Sequence, residues 1–218
     1  FAVLLMTGGG ERAEGKPKSP DSENNHAVAP PLVVDEWAKW EANATPYGGL
    51  EVLNKIRKAK QSGSHFINLE ASGIADIAPL TGWNEMGTLS LSGNQIADLT
   101  PLMGLEKLVH LIINDNQIAD ISPISGMGKL DLLVLGYNRI TDLKALKGLV
   151  NLTKLYLPGN QITDLKPLAG LSNLLELHLY DNRITDVTPL AGLSNLETLN
   201  IPYNAITNVM PLANLTKL

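Results

Sequence analysis

Two histidines, His110 and His178, and the carboxylate of Glu176 are the residues of this chain whose types most invite chemistry. An imidazole can ligate a metal or move a proton. In the repeat read below, His110 and His178 fall three strands apart, about 14 Å at ordinary strand spacing. They cannot share one ion. Glu176 and His178 lie two apart on one strand face and can pair, but no nucleophile or orienting group accompanies them. Aspartate recurs at Asp76, Asp98, Asp120, Asp142, Asp164 and Asp186. No repeat supplies the several oxygen ligands of a calcium loop, so these carboxylates read as acceptors for backbone N–H groups in turns. Gly126-Met-Gly128-Lys129 faintly resembles a phosphate loop, yet the position of the loop's first glycine is Pro123,. There is no cysteine, hence no disulfide, thiolate metal site or thiol nucleophile,. We expect no enzyme, no catalytic residue, no metal and no cofactor.

The elements that hold these residues follow from composition and period. The chain has 218 residues and a formal net charge of −5, without the basic face that nucleic acid requires,. It is 44% hydrophobic but has only two phenylalanines, so the interior is built from one aliphatic unit used repeatedly. Residues 1–10 begin FAVLLM and continue into small residues, the pattern of a signal-peptide remnant. Residues 11–31 are rich in Gly, Pro, Ser and mixed charge and read as a disordered linker. Residues 32–63 carry Trp37 and Trp40, then Leu50, Leu53 and Ile56, at helical spacing. One or two short amphipathic helices are expected there, capping the rest. Asn43, Asn151 and Asn214 each begin an Asn-x-Thr glycosylation acceptor, the last two written by the repeat itself,.

From Ser64 to Leu218 the period is 22 residues with no insertion, giving seven repeats and the first residue of an eighth,. Seven slots per repeat are apolar: the first, fourth, sixth, eleventh, fourteenth, seventeenth and twentieth. Slots four and six alternate with polar ones, which marks a short strand with one face inward. Stacked strands make a parallel sheet, and the rest of each repeat returns the chain to the next strand. The ninth slot is Asn94, Asn116, Asn138, Asn160, Asn182 and Asn204, with Ser72 in the first repeat. An amide has both donor and acceptor, so it can satisfy backbone groups where the strand turns.

The pattern L-x-x-L-x-L-x-x-N, continued as I-T-D-L-x-P-L-A-G-L-x-N, resembles the leucine-rich repeat of bacterial internalins over Ser64 to Leu218. The resemblance implies an α/β repeat solenoid, a right-handed horseshoe. Its concave side is a parallel β-sheet, its convex side 3-10 or irregular structure, with a short helical N-terminal cap. It also implies that the asparagines form a buried ladder and that the chain is exported (periplasmic, cell-surface or secreted) from a bacterium.

The slots that vary are the third, fifth, seventh and eighth, on or just beyond the outward strand face, which the resemblance makes the concave one. There His110, Ile112, Leu132, Val134, Tyr137, Tyr156, Glu176, His178, Tyr180 and Tyr203 gather aromatic, aliphatic and acidic groups. Such clustering points to a protein contact; strand faces also favour these residue types for cross-strand packing. The expected function is non-catalytic recognition of a protein partner by a monomer that neither binds nucleic acid nor spans a membrane. Two alternatives stay open: an intracellular, cytoplasmic scaffold or regulatory subunit resembling phosphatase regulators, and a repeat module of a longer enzyme.

Overall fold

The computed structural model describes residues 35–218. The signal-peptide remnant, the linker and the first residues of the helical segment lie outside the described residues. Helix α1 (Glu36–Ala42) starts where the Asp35 carboxylate accepts the N–H of Trp37 at 3.0 Å, a side-chain cap for an otherwise unpaired donor. Helix α2 (Leu50–Gln61) buries Leu53 and Ile56. Leu50, expected on the same face, is 55% exposed, because it opens the first turn, where the helix has not yet reached the core. Arg57 links the helices: its guanidinium pairs with Glu41 at 2.5 Å and stacks 4.7 Å from the centre of the Trp37 ring.

Strands β1 (Phe66–Asn68), β2 (Thr88–Ser90), β3 (His110–Ile112), β4 (Leu132–Val134), β5 (Lys154–Tyr156), β6 (Glu176–His178) and β7 (Thr198–Asn200) form one parallel sheet in sequence order. Each residue pairs with the one 22 positions later, from Phe66 with Thr88 to His178 with Asn200. A constant register follows from a period without insertions. Each strand is followed by a 3-10 turn, such as Lys166–Leu168. Six of the seven turns carry proline at the start; Lys144–Leu146 does not. Proline fits because its φ is already turn-like and no bond is asked of its nitrogen.

The residue two before each turn's first residue caps it. Asp164 Oδ1 accepts the N–H of Lys166 at 2.9 Å, and the other five recurring aspartates and Asn208 do the same for their turns. Inside the coil, the apolar slots make one continuous aliphatic core, with Leu152, Leu155, Leu157, Ile162, Leu168 and Leu171 fully buried in the fifth repeat. Each asparagine of the ninth slot ties its own repeat to the previous one. Asn160 Nδ2 donates to the carbonyls of Leu135, Leu157 and Pro158, at 3.1 to 3.2 Å, while its Oδ1 accepts the N–H of Ile140 at 3.0 Å. Among the described residues no buried side-chain nitrogen or oxygen lacks a partner. Ser72, in the first repeat, donates its hydroxyl to Glu70 O within its own repeat, and Asn94 takes the N–H of Ser72 in addition to that of Ile74.

The helical segment closes the first repeat. Pro46 O accepts from Ala75 and Asp76, Tyr47 bridges Ile74, and Lys60 Nζ donates to Thr81 O at 3.0 Å near the Trp83 ring. Trp83, in a slot filled elsewhere by Leu or Met, is 5% exposed, its larger ring filling the junction.

Candidate functional site

The outward face of the sheet is set by strand alternation: residue two of each strand points into the core, residues one and three point out. Register then lines up two columns. Ile112, Val134, Tyr156 and His178 are successive partners across β3 to β6, and so are His110, Leu132, Lys154 and Glu176. All eight are half-exposed. Polar residues flank them: Asn68 and Asn200 at the ends, and Ser90, only 3% exposed, whose hydroxyl donates to the Glu70 carboxylate.

Within the face the polar groups are already paired. Lys154 Nζ lies 2.6 Å from Glu176 Oε1, and the Tyr156 hydroxyl donates to the other oxygen of Glu176. The Tyr156 ring meets His178 edge-on, centres 4.6 Å apart. The pairing of Glu176 with His178, open from the sequence, is therefore not formed: Lys154 and Tyr156 occupy the carboxylate. Burial, then the Glu176 hydrogen bond and charge, push the Tyr156 phenol up to about 12. The bonds from Lys154 and Tyr156 hold the Glu176 carboxyl below its usual range. Burial lowers His178, against the pull of Glu176, so its imidazole is neutral near pH 7,. His110 Nδ1 is 3.2 Å from Thr88 Oγ1, and its Nε2 is 3.9 Å from Asp131. Among the described residues no group of three or more His, Asp or Glu could hold a metal ion.

Asp131 and Lys154 were not among the expected site residues. Asp131 also accepts the Thr153 hydroxyl at 2.5 Å. The signal was present: Asp131 and Thr153 fill the second slot of adjacent repeats, which the register makes neighbours.

The expected tyrosines divide. Tyr156 belongs to the strand face. Tyr137, Tyr180 and Tyr203 stand on the turn that follows the strands, with Tyr137 46% and Tyr203 81% exposed. Tyr180 fills the seventh slot, whereas the setting of Tyr137 and Tyr203 is a property of the eighth. All seven residues there have positive φ: Ala71, Gly93, Asp115, Tyr137, Gly159, Asp181 and Tyr203, between 47° and 68°. The left-handed region costs an L-residue about 1–2 kcal/mol, little for Gly, and Asn or Asp visit it most readily of the rest. Sequence reading treated this slot as free; two glycines and two aspartates in it were the available hint. The Tyr137 ring reaches over Gly159 to set its hydroxyl 3.0 Å from that of Tyr180, with ring centres 6.5 Å apart and planes at 68°.

Comparison with known proteins extends this picture. Models of leucine-rich repeats in two copies match residues 88–126, 150–192 and 172–217, and one of a leucine-rich repeat matches 108–162. Comparison with curated proteins finds no match. Among solved structures, an internalin (inlF) from Listeria monocytogenes is 38% identical with a TM-score of 0.65, over 66% of this chain and 43% of that one. An internalin C2 from the same organism is 33% identical with a TM-score of 0.63, over 76% of this chain and 89% of that one. A leucine-rich repeat protein from Leptospira interrogans is 26% identical with a TM-score of 0.61, over 65% of this chain and 38% of that one. The chain thus spans less than half of the first internalin and most of the second.

Proposed function

The chain belongs to the internalin-like leucine-rich repeat family, and from that premise we propose that it is an exported, non-catalytic module that binds a protein partner through the concave face of its sheet. A protein-interaction role at the coarser level comes with the family. The observation that carries the finer reading is the unbroken column Ile112, Val134, Tyr156, His178. It joins aliphatic, aromatic and neutral imidazole groups that remain half-exposed in the middle of a face whose ends are polar. An apolar centre inside a polar rim is the anatomy of a protein interface. The pairing of Lys154 with Glu176 leaves no free charge in that centre to be desolvated on binding, a cost that would otherwise weaken a complex. Among the described residues no helix is long and apolar enough to cross a membrane, and the internalin neighbours support a surface or secreted setting.

The test is affinity capture from intracellular and culture-supernatant or surface fractions of the source organism and its surroundings. The wild-type chain is compared with Val134→Glu and Tyr156→Ala, each checked to melt as a folded protein. A protein held by the wild type and lost by both variants is then measured directly with purified components. Each substitution should weaken it by about 1–4 kcal/mol. A partner held equally by all three chains overturns the concave-face reading. A partner found only inside the cell overturns export and leaves the scaffold reading.

A further inference from the structure

His178 closes the column Ile112, Val134, Tyr156, His178, half-exposed and edge-on to the Tyr156 ring with centres 4.6 Å apart. Its surroundings differ on its two sides. Across β5 it faces Tyr156, with Lys154 on the diagonal. Across β7 it faces Asn200, with Thr198 on the diagonal, and neither of these titrates. Its own strand supplies Glu176, two residues away on the same outward face. The turn beyond carries Tyr180, whose hydroxyl meets that of Tyr137, and Asp181. Among the described residues neither nitrogen of the His178 ring makes a hydrogen bond, and both oxygens of Glu176 are taken, Oε1 by Lys154 and Oε2 by the Tyr156 hydroxyl.

The neutral ring suits this arrangement and the charged ring does not. A neutral imidazole continues the apolar column and asks nothing of Glu176. An imidazolium beside that carboxylate brings a charged N–H, and a cation attracts a carboxylate in a way that a phenol lacks. Of the two groups now on Glu176, Lys154 is itself a cation, so the Tyr156 hydroxyl is the one an imidazolium displaces. The Tyr156 ring is then untied in the middle of the column. Burial holds His178 below its ordinary 6.5, with Glu176 pulling the other way, so the change of charge falls on the acid side of that value.

We propose that His178 makes the concave face acid-sensitive: a proton on its imidazole draws Glu176 Oε2 away from Tyr156, breaks the apolar column there and releases the partner. The proposal rests on the concave-face reading and adds its regulation. A docked partner covers His178, and covering a cation carries a desolvation cost that the neutral ring avoids. Binding and protonation therefore oppose each other by the same factor. A partner held at neutral pH is let go as the pH falls below 6.5, by up to about tenfold per pH unit for one proton,.

The first experiment needs no partner. The full chain, with carbon-13 in its histidine rings, is titrated from about pH 8 to about pH 4 and the His178 midpoint is read. Tyr156→Phe removes the competitor for Glu176 and should raise that midpoint by about 0.5, whereas Glu176→Gln should lower it by a similar amount. A midpoint unchanged in either variant, or a His178 ring that takes up no proton before the chain unfolds, would overturn the proposal. The second experiment measures the purified partner at about pH 7.5 and about pH 5.5, where the wild type should bind about tenfold more weakly at the lower pH and His178→Gln nearly equally at both. An equal fall in the two chains would also overturn it. A partner that Val134→Glu and Tyr156→Ala lose, but that ignores pH, would leave the concave-face reading standing and remove its regulation.

Discussion

The ring of Tyr137 lies in the space that a side chain at Gly159 would fill: a Cβ there would come within 2.8 Å of Tyr137 Cε1. The absence of that carbon is what lets the Tyr137 hydroxyl come 3.0 Å from that of Tyr180, bridging three repeats. Two readings of the same glycine are joined here. It relieves a positive φ of 62°, and it opens the path for a neighbouring ring.

Gly159→Ala should therefore cost two separable amounts. The left-handed backbone accounts for about 1–2 kcal/mol. Displacing the Tyr137 ring adds about 0.5–1.5 kcal/mol through the lost aromatic pair. In a Tyr137→Ala background only the first should remain. Denaturant melts of the four proteins of this cycle measure the difference, and strict additivity would show that the ring and the glycine are not coupled.

Asn160→Ala should destabilise the chain by on the order of 1–3 kcal/mol, since it strands buried backbone groups on two repeats at once. Its amide serves the carbonyls of Leu135, Leu157 and Pro158 and the N–H of Ile140. Hydrogen exchange should report the loss locally, with the Ile140 amide exchanging faster. A melt unchanged by the substitution would mean that water replaces the side chain without cost.

Stability should fall at both ends of the pH range, through different groups. The folded Tyr156 phenol keeps its proton up to about 12, against 10.0 for the ordinary group. The folded state thus binds more protons than the unfolded between these values, and its advantage, complete below pH 10, is lost as pH rises toward 12. His178 runs the other way: its folded value lies below 6.5, so the unfolded chain takes up the proton first. The stability tied to the neutral ring is present above 6.5 and declines as pH falls below it. Melts across pH should show the alkaline slope reduced in Tyr156→Phe and the acid slope reduced in His178→Gln.

Much of this architecture was legible because it is periodic. Leu155 and Leu157 alternate with polar neighbours, Leu152 to Leu171 recur every 22 residues without slippage, and those two facts dictate strand, sheet order and register. What periodicity could not carry was anything decided between repeats. Glu176 had two possible partners on its own strand face and next door, and only side-chain reach gave it to Lys154 and Tyr156. The eighth slot looked unconstrained because its residues share no size, charge or hydropathy. What they share is a backbone angle, which an alphabet of side chains records poorly. Leu50 failed for a plainer reason: a helix's first turn need not face what its middle faces.

The asparagine and strand ties described above join residues a near-constant distance apart in sequence: 20 or 25 positions for the asparagines, 22 for the strand partners. Such a chain has no keystone. Each coil is held mainly by its two neighbours, as in other stacked-repeat proteins, with the Tyr137–Tyr180 contact reaching one coil further. Under tension from its two ends it should let go like thread from a spool, one turn at a time. Each release would free about 22 residues, or about 75 Å of extended chain, while the coils still wound keep their shape.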